Sequence, residues 1–556
     1  DWGLMQFLLS VMGAMRWRWA RAVLAASFLF YWSCSSDQAP NYSFLRHATS
    51  APATAFYDYI VVGGGTAGCA LGATLSSGAR VLVLERGGSP YGNPRVRDVE
   101  SFAADLSDAT PLSPAQQFVS KDGVYSQRPR VLGGGSAINA GFYTRASPRD
   151  VAESGWDAAE VDRAFRWVEQ KVAFQPEPGP WQAAVKAGLL EVGLGPDNGF
   201  TYDHIHGTKI GGSIFDRNGH RHTAADLLEY ADPAKITVYL HAVVHKILFA
   251  AGGTPKPRAH GVIFKDAAGI MHSAFLNVGD ANEIILSAGA LGSPQLLMLS
   301  GIGPKAHLLA HGIPVVMDQP MVGQGMADNP MNAIMVGSRL PVEVSLIQTV
   351  GIAASDDFYV EAASGVAFGR LDPNAATVPA PVINGAVILE KISGPRSSGH
   401  LRLLTRDPAA NPVVSFNYFQ DPEDLRACVA GMETVMNVYR SDALSEFRHP
   451  LVTAEAVLAT TAALPLNLRP RHLTTGLSLE KFCRDTVLTI WHYHGGCRKG
   501  AVVDGEYRVV GVEALRVVDG STFNRSPGTN PQATVMMLGR YVGERMLTER
   551  KVKVRG

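Results

Sequence analysis

The sequence predicts an α+β/α/β protein in which both ends of the chain build one Rossmann-like domain and the middle builds a second. Three stretches predict it. Tyr59-Ile-Val-Val-Gly63-Gly-Gly65-Thr-Ala-Gly68 is an apolar strand entering a Gly-x-Gly-x-x-Gly turn, and Val81-Leu-Val-Leu-Glu85 is a second apolar strand ending on an acid. Far along the chain, Leu515-Arg-Val-Val-Asp519-Gly520 is a strand ending in Asp-Gly, followed by a Pro/Gly loop and an apolar helix from Ala533 to Met546.

The first two stretches form a βαβ unit of the dinucleotide-binding kind. Gly63 permits the tight turn, and Gly65 lets the main chain approach a pyrophosphate. Gly68 and Gly72 allow close packing of the helix-compatible run Cys69 to Ser76 on the strands. The N-terminus of that helix offers free N–H groups and a dipole that favour phosphate. Glu85 lies about 20 residues on, where a carboxylate accepts ribose hydroxyls.

A glycine-rich loop follows at Arg130-Val-Leu-Gly133-Gly134-Gly-Ser136-Ala-Ile138-Asn139. Apolar residues recur at helical spacing from Asp150 to Lys171. Ile236 to Leu240, Val243 to Phe249 and Glu283 to Ser287 read as strands, and Leu296 to Leu299 as a short apolar helix after Ser293-Pro294. The stretch from about Val342 to Pro381 is rich in Ala, Pro and Gly with poor periodicity, and reads as loops over a substrate pocket. Leu401 to Leu404 and Pro412 to Phe416 are strand-like, and Asp424 to Tyr439 is helical. The expected division is 56–150, 222–330 and 485–550 for the Rossmann-like domain, with 151–221 and 331–484 for the enclosed one.

With 556 residues the chain can bury a large core in two or more domains. Fifty Lys+Arg balance fifty Asp+Glu. No basic patch or charge run points to nucleic acid. Near the N-terminus, Arg16, Arg18 and Arg21 precede an apolar run from Ala22 to Trp32 and a small-residue exit, Ser33 to Ser36. That pattern predicts a secretory signal over 15–36. The run is short for a bilayer span, although the apolar stretch Leu4 to Ala14 keeps a signal anchor as the alternative. Residues 1–14 are expected to be a fragment or an over-extended translation, with Met15 as the start. Asn41-Tyr42-Ser43 is an N-glycosylation acceptor.

Of five cysteines, Cys34 belongs to the signal and Cys69 to the first helix. Cys428, Cys483 and Cys497 remain. In an oxidising compartment a disulfide among them is reasonable, but spacing does not choose the pair. No Cys-x-x-Cys suggests a metal.

Two histidines stand in Trp491-His492-Tyr493-His494-Gly495-Gly496-Cys497. On an extended segment they point the same way. Histidine suits proton transfer near neutral pH; ordinary histidines beside a glycine turn are the competing reading. In Pro527-Gly528-Thr529-Asn530-Pro531-Gln532, the helix start could face an anion, or be a plain capped turn.

Taken in order, Gly63 to Gly68 with Glu85, the Arg130 to Asn139 loop, Gly289 to Gly303, Val322-Gly323-Gln324 with Asp328-Asn329-Pro330, His492 and Asp519-Gly520 resemble the glucose–methanol–choline (GMC) flavoprotein oxidoreductases. The resemblance runs from about Phe56 to Leu547. Within that family, Trp491 to Cys497, Arg516 to Phe523 and Asn530 to Tyr541 are most similar to the plant HOTHEAD-like and mandelonitrile-lyase-like branch, as are Gly207 to Ser213 and Arg221 to Ala224.

The resemblance implies FAD as cofactor and an enclosed substrate domain on an antiparallel sheet with helices. Gly63, Gly65, Thr66, Ala67 and Gly68 would hold the pyrophosphate, Glu85 the adenosine ribose, and Val244 the adenine. Arg130, Gly134, Ser136 and Asn139 would line the flavin side. Asp519, Gly520, Asn530 and Gln532 would meet the ribityl and pyrimidine end. His492 takes the position of the catalytic base that accepts a substrate hydroxyl proton as hydride passes to flavin N5. Asn530 takes the second position, which is His or Asn in the family. His494 is expected to be supporting structure. Ile138 replaces the histidine that tethers FAD in some members, so non-covalent FAD is expected. The branch also implies a Cys428–Cys483 disulfide.

These roles imply oxidation of a primary or secondary alcohol, with long-chain ω-hydroxy fatty acids as the substrates the branch suggests. The alternative is a hydroxynitrile lyase. Its site resembles His492 with a second histidine, a tyrosine and a cysteine, and those positions hold Asn530, Ile490 and Glu361 here. A role without catalysis, with FAD as structural core, would need the base to be missing. The expected partner is a small alcohol; neither nucleic acid nor metal is expected.

Overall fold

A computed structural model describes residues 40, 42–250, 256–365, 385–471 and 476–555. The expected signal over 15–36, residues 1–14 and the acceptor Asn41 lie outside the described residues. No helix among the described residues is long and apolar enough to cross a membrane.

A six-stranded sheet runs in the order Leu45–His47, Ile236–Leu240, Val81–Leu84, Tyr59–Val62, Glu283–Leu286 and Leu515–Val517. Every pairing is parallel. Its strands Val81–Leu84, Tyr59–Val62 and Glu283–Leu286 are buried from end to end, because helices or sheets cover both faces. That is why they read as unbroken apolar runs instead of alternating ones. The helices Thr66–Ser76 and Gln532–Arg555 pack against each other beside it. A charge does enter the last strand. Arg516 is 1 % exposed and meets Glu283 of the neighbouring strand in a two-pronged pair at 2.6 and 3.1 Å, the geometry that best compensates burial of both ions. A four-stranded sheet, in the order Val243–Phe249, Ala259–Lys265, Met271–Leu276 and Thr54–Tyr57, adjoins this core.

A seven-stranded sheet runs in the order Leu488–Thr489, Pro330–Gly337, Gly385–Ile392, Phe358–Ser364, Thr349–Ile352, Gly207–Ile210 and Asp197–Phe200. Its pairings are antiparallel except the last. The helix Pro422–Arg440 packs on three of its strands and against the helix Leu479–Thr486. The Cys428–Cys483 disulfide joins these two helices. Cys69 and Cys497 are free and buried.

Several segments differ from expectation. The run read as loops from Val342 contains the strands Thr349–Ile352 and Phe358–Ser364; residues 366–384 are outside the described residues. These strands are buried on both faces, so no alternation marks them, and small residues weaken their β signal. The helical run from Asp150 is two helices, Pro148–Glu153 and Ala158–Val172, with the Asp157 carboxylate capping the second through the Glu160 N–H. The short helix at Leu296 starts at Gly289 and runs to Leu299 with Pro294 inside it.

Candidate active site

One cavity collects most of the residues singled out from the sequence. Its wall includes Gly63, Gly65, Thr66, Ala67, Glu85, Gly134, Ser136, Asn139, Val244, His492, Asp519, Gly520, Asn530 and Gln532. The first turn makes its floor. Gly63 has φ +103°, and a Cβ there would lie 2.5 Å from the Ser287 carbonyl oxygen; only glycine fits. A Cβ on Gly134 would lie 2.7 Å from the Gly65 Cα, so the two glycine loops meet main chain to main chain.

Glu85 is buried and accepts from the Gly64 N–H at 3.0 Å and the Gly87 N–H at 2.7 Å. Burial raises its pKa against the pull of those donors. Ser136 donates to the Gly133 carbonyl and accepts from the Ala224 N–H, so its hydroxyl knits the loop. Asn139 donates to Gln532 at 2.9 Å, and Gln532 donates to the Phe142 carbonyl at 2.6 Å. Asp519 is buried and accepts from the Gly289 N–H and the hydroxyls of Ser293 and Ser521.

The opposite wall carries the histidine. Trp491 has φ +62°, a left-handed conformation that costs a bulky residue ~1–3 kcal/mol. Neighbours hold it there. The Trp491 N–H donates to Thr489 Oγ1 at 2.8 Å and its indole N–H to Gln127 at 2.5 Å. Below, the buried Asp328 carboxylate accepts from Tyr418 Oη at 2.5 Å, Thr489 Oγ1 at 2.6 Å and the His492 N–H at 2.8 Å. Burial raises Asp328 to about 7, although those donors pull it down. The turn presents the His492 ring, 8 % exposed, to the cavity. Burial, then the Lys391 ammonium and His494, hold its pKa well below the ordinary 6.5, so it is neutral. His494 does not line the cavity: its Nδ1–H donates to the His492 carbonyl at 2.9 Å.

Two expected residues fall outside the wall. Gly68 sits beneath the turn, where a Cβ would lie 1.9 Å from the Gly63 carbonyl oxygen. It shapes the turn without facing the cavity. Arg130 donates to the Ser113 carbonyl at 2.9 Å, and the arginines that line the cavity are Arg86 and Arg128. Gln127 and Lys391 were missed. Gln127 belongs to a strand with no motif. Lys391 had one signal, a charged pair Glu390-Lys391 inside the apolar strand Gly385–Ile392.

The residues present fit FAD. Two glycine loops leave main chain open to a pyrophosphate, the Glu85 carboxylate stands in the same cavity wall, and the buried Asn530 Oδ1 has no hydrogen-bond partner within the protein. An orphaned buried acceptor is costly unless a ligand meets it. Among the described residues, no cluster of three or more His, Cys, Asp or Glu could hold a metal.

The sequence matches the pattern of the GMC oxidoreductase family over residues 57–331 and 395–539. It is 49 % identical over 529 residues to Protein HOTHEAD of Arabidopsis thaliana, covering 89 % of this chain and 88 % of that one. It is 41 % identical to (R)-mandelonitrile lyase 1 of Prunus serotina, covering 92 % and 91 %, and 42 % identical to Sinalpyl alcohol oxidase Nec3 of Nesocodon mauritianus, covering 89 % of each. The fold matches the crystal structure of pyridoxine 4-oxidase from Mesorbium loti with a TM-score of 0.73 at 22 % identity, over 88 % of this chain and 98 % of that one. With a dinucleotide cradle facing a neutral, buried histidine, this chain belongs to the GMC oxidoreductase family and is an FAD-dependent oxidoreductase.

Proposed function

We propose that this protein oxidises a primary or secondary alcohol. The observation that carries the reading is His492, buried, neutral and presented to the same cavity as the cofactor cradle. A neutral imidazole there can accept the proton of a substrate hydroxyl. Asn530 carries an amide that can hydrogen-bond the substrate oxygen but cannot act as a base. Bound FAD supplies the two-electron acceptor for the carbinol. Gly63, Gly65, Thr66 and Ala67 would hold its pyrophosphate, Glu85 its ribose, and Asn139, Asp519 and Gln532 its flavin end. Ile138 offers no atom for a covalent tether, so FAD is held non-covalently. Residues 56–150, 222–330 and 485–550 form the cofactor-binding part, and 151–221 and 331–484 the substrate part.

Kinship with HOTHEAD suggests long-chain ω-hydroxy fatty acids as the substrate class, and the oxidase of Nesocodon mauritianus an aromatic alcohol as its rival. Kinship with the Prunus lyases raises cyanohydrin cleavage. Against it stand Ile490, Glu361 and Asn530 in place of the tyrosine, cysteine and second histidine. Ile490 brings only hydrocarbon to the cavity. The signal-like segment and the Cys428–Cys483 bond favour the secretory pathway. Anaerobic mixing of the yellow protein with ω-hydroxy fatty acids and benzyl alcohols tests the reading. It expects rapid bleaching of the flavin by one class. No bleaching, with cyanide released from mandelonitrile, would make the protein a lyase.

A further inference from the structure

Alcohol oxidation leaves a lysine of the cavity wall without a role. Lys391 lines it in company with Ile490, Trp491 and His492. Its ammonium pairs with Glu361 of the adjacent strand and lies 5.7 Å from the centre of the Tyr359 ring. The two side chains are 1 % and 0 % exposed. A buried ion pair seldom stabilises a fold better than apolar residues would. This one is also incompletely satisfied, because Glu361 Oε1 is buried with no hydrogen-bond partner. Stability alone therefore does not account for it.

The pair is polarised. Lys391 stands in the cavity wall, whereas Glu361 is set behind it and is absent from the wall. Other charges near His492 and Lys391 do not cancel this orientation. Asp328 lies under the His492 main chain with three donors on it. Glu390 projects against Gly431 of the helix Pro422–Arg440. Lys209, on the strand Gly207–Ile210, donates to Thr144 Oγ1 and the Asp203 carbonyl, and burial lowers its pKa to about 7. Tyr359 donates to the Thr529 carbonyl, and His494 is turned away. Burial lowers the Lys391 pKa and raises that of Glu361, while their mutual attraction opposes both shifts; as an ion pair they turn the lysine, and not the glutamate, toward the cavity that holds His492.

We propose that Lys391, anchored by Glu361, forms an anion subsite beside His492 that stabilises negative charge on the substrate oxygen as its proton leaves. The proposal rests on the alcohol-oxidation reading for its role in turnover, but not for the subsite itself. A small carboxylate would occupy the same place. The same charge also opposes protonation of His492, so the base stays ready.

The probe is benzoate, titrated into the yellow holoprotein and followed by the flavin absorbance, which needs no turnover. Wild type is compared with Lys391→Met and with Lys391→Met/Glu361→Gln. The double variant leaves no ionised carboxylate unpaired in the core and decides the matter if the single one fails to fold. Both are expected to keep FAD and to bind benzoate at least about tenfold more weakly, as loss of a desolvated charge contact does. The acid limb of anaerobic flavin reduction should also move to higher pH, because His492 loses the cation that depresses it. Failure of wild type to bind benzoate, or unchanged affinity and an unmoved acid limb in the double variant, would overturn the subsite. A protein that binds benzoate through Lys391 but is bleached by no alcohol would overturn the oxidation reading alone.

Discussion

On the parallel-sheet side the cavity wall is largely main chain; on the antiparallel-sheet side it is side chain. The first is built by turns, Gly63 to Ala67 and Gly134 to Ser136, each within one short segment. The second is assembled from Gln127, Lys391, His492 and Asn530, which come from separate segments of the chain and meet only in the fold. A main-chain wall suits a constant ligand, since N–H groups cannot be exchanged by substitution. A side-chain wall can be changed one residue at a time, and Ile490 and Asn530 both stand on it.

The largest expected effect would separate the two walls outright. His492→Ala removes the proposed base and nothing from the cradle. Flavin reduction by an alcohol should slow by ~10²–10⁴, the usual worth of a general base, while the yellow complex forms as before. Stopped-flow bleaching and the flavin-to-protein absorbance ratio check both halves. Unchanged reduction removes His492 from the mechanism.

Next comes the staple on the antiparallel side. Cys428 and Cys483 are 55 residues apart in sequence. Their replacement by serine should lower unfolding stability by about 3 kcal/mol through a less constrained unfolded chain. The folded variant should keep its FAD affinity, because the bond joins two helices remote from the cradle. Denaturant unfolding and FAD titration test this together, and a large loss of FAD affinity would show that the two sides are not independent.

The converse probe is Glu85→Gln, which touches only the nucleotide wall. Glu85 already accepts from Gly64 and Gly87, so the amide would place an N–H against an N–H. FAD affinity should fall about tenfold, within the worth of a hydrogen bond to a charged group. Reduction of the fully loaded variant should hold near wild type. Equilibrium dialysis of FAD and single-turnover reduction read the two quantities separately.

The same contrast explains what was legible in the sequence. The βαβ unit could be read because its chemistry is local: Gly63, Gly65 and Glu85 declare a turn, an approach and an acceptor by spacing alone. His492 could be found only through resemblance, since one histidine beside a glycine turn has no meaning by itself. Gln127 and Lys391 gave little warning, because a strand residue's wall position depends on which strands pair. The segment after Val342 was misread as loop for a related reason: Thr349–Ile352 and Phe358–Ser364 are buried on both faces and lack the alternation that marks a half-exposed strand. Arg130 stands outside the cavity wall because the Ser113 carbonyl, just before the strand Ala115–Val119, accepts from its guanidinium.

The smallest effect is a near-absence of one, and it sharpens the comparison most. An ordinary histidine base titrates near 6.5, and its rate would climb between pH 6 and 8. His492 is held well below that value, first by burial and then by Lys391 and His494. It is the neutral form that accepts a proton. A depressed pKa means that form is already complete at pH 6, so flavin reduction should vary by no more than about twofold from pH 6 to 8. The rate should fall only as the pH drops through the lowered value. Folding stability carries the same sign: the unfolded histidine takes up a proton below about 6.5 while the folded one does not, so acidification below that point draws the chain toward unfolding. A rate that instead rises across pH 6 to 8 would place His492 in water, on a wall more open than the one that Asp328, Thr489 and Trp491 build around it.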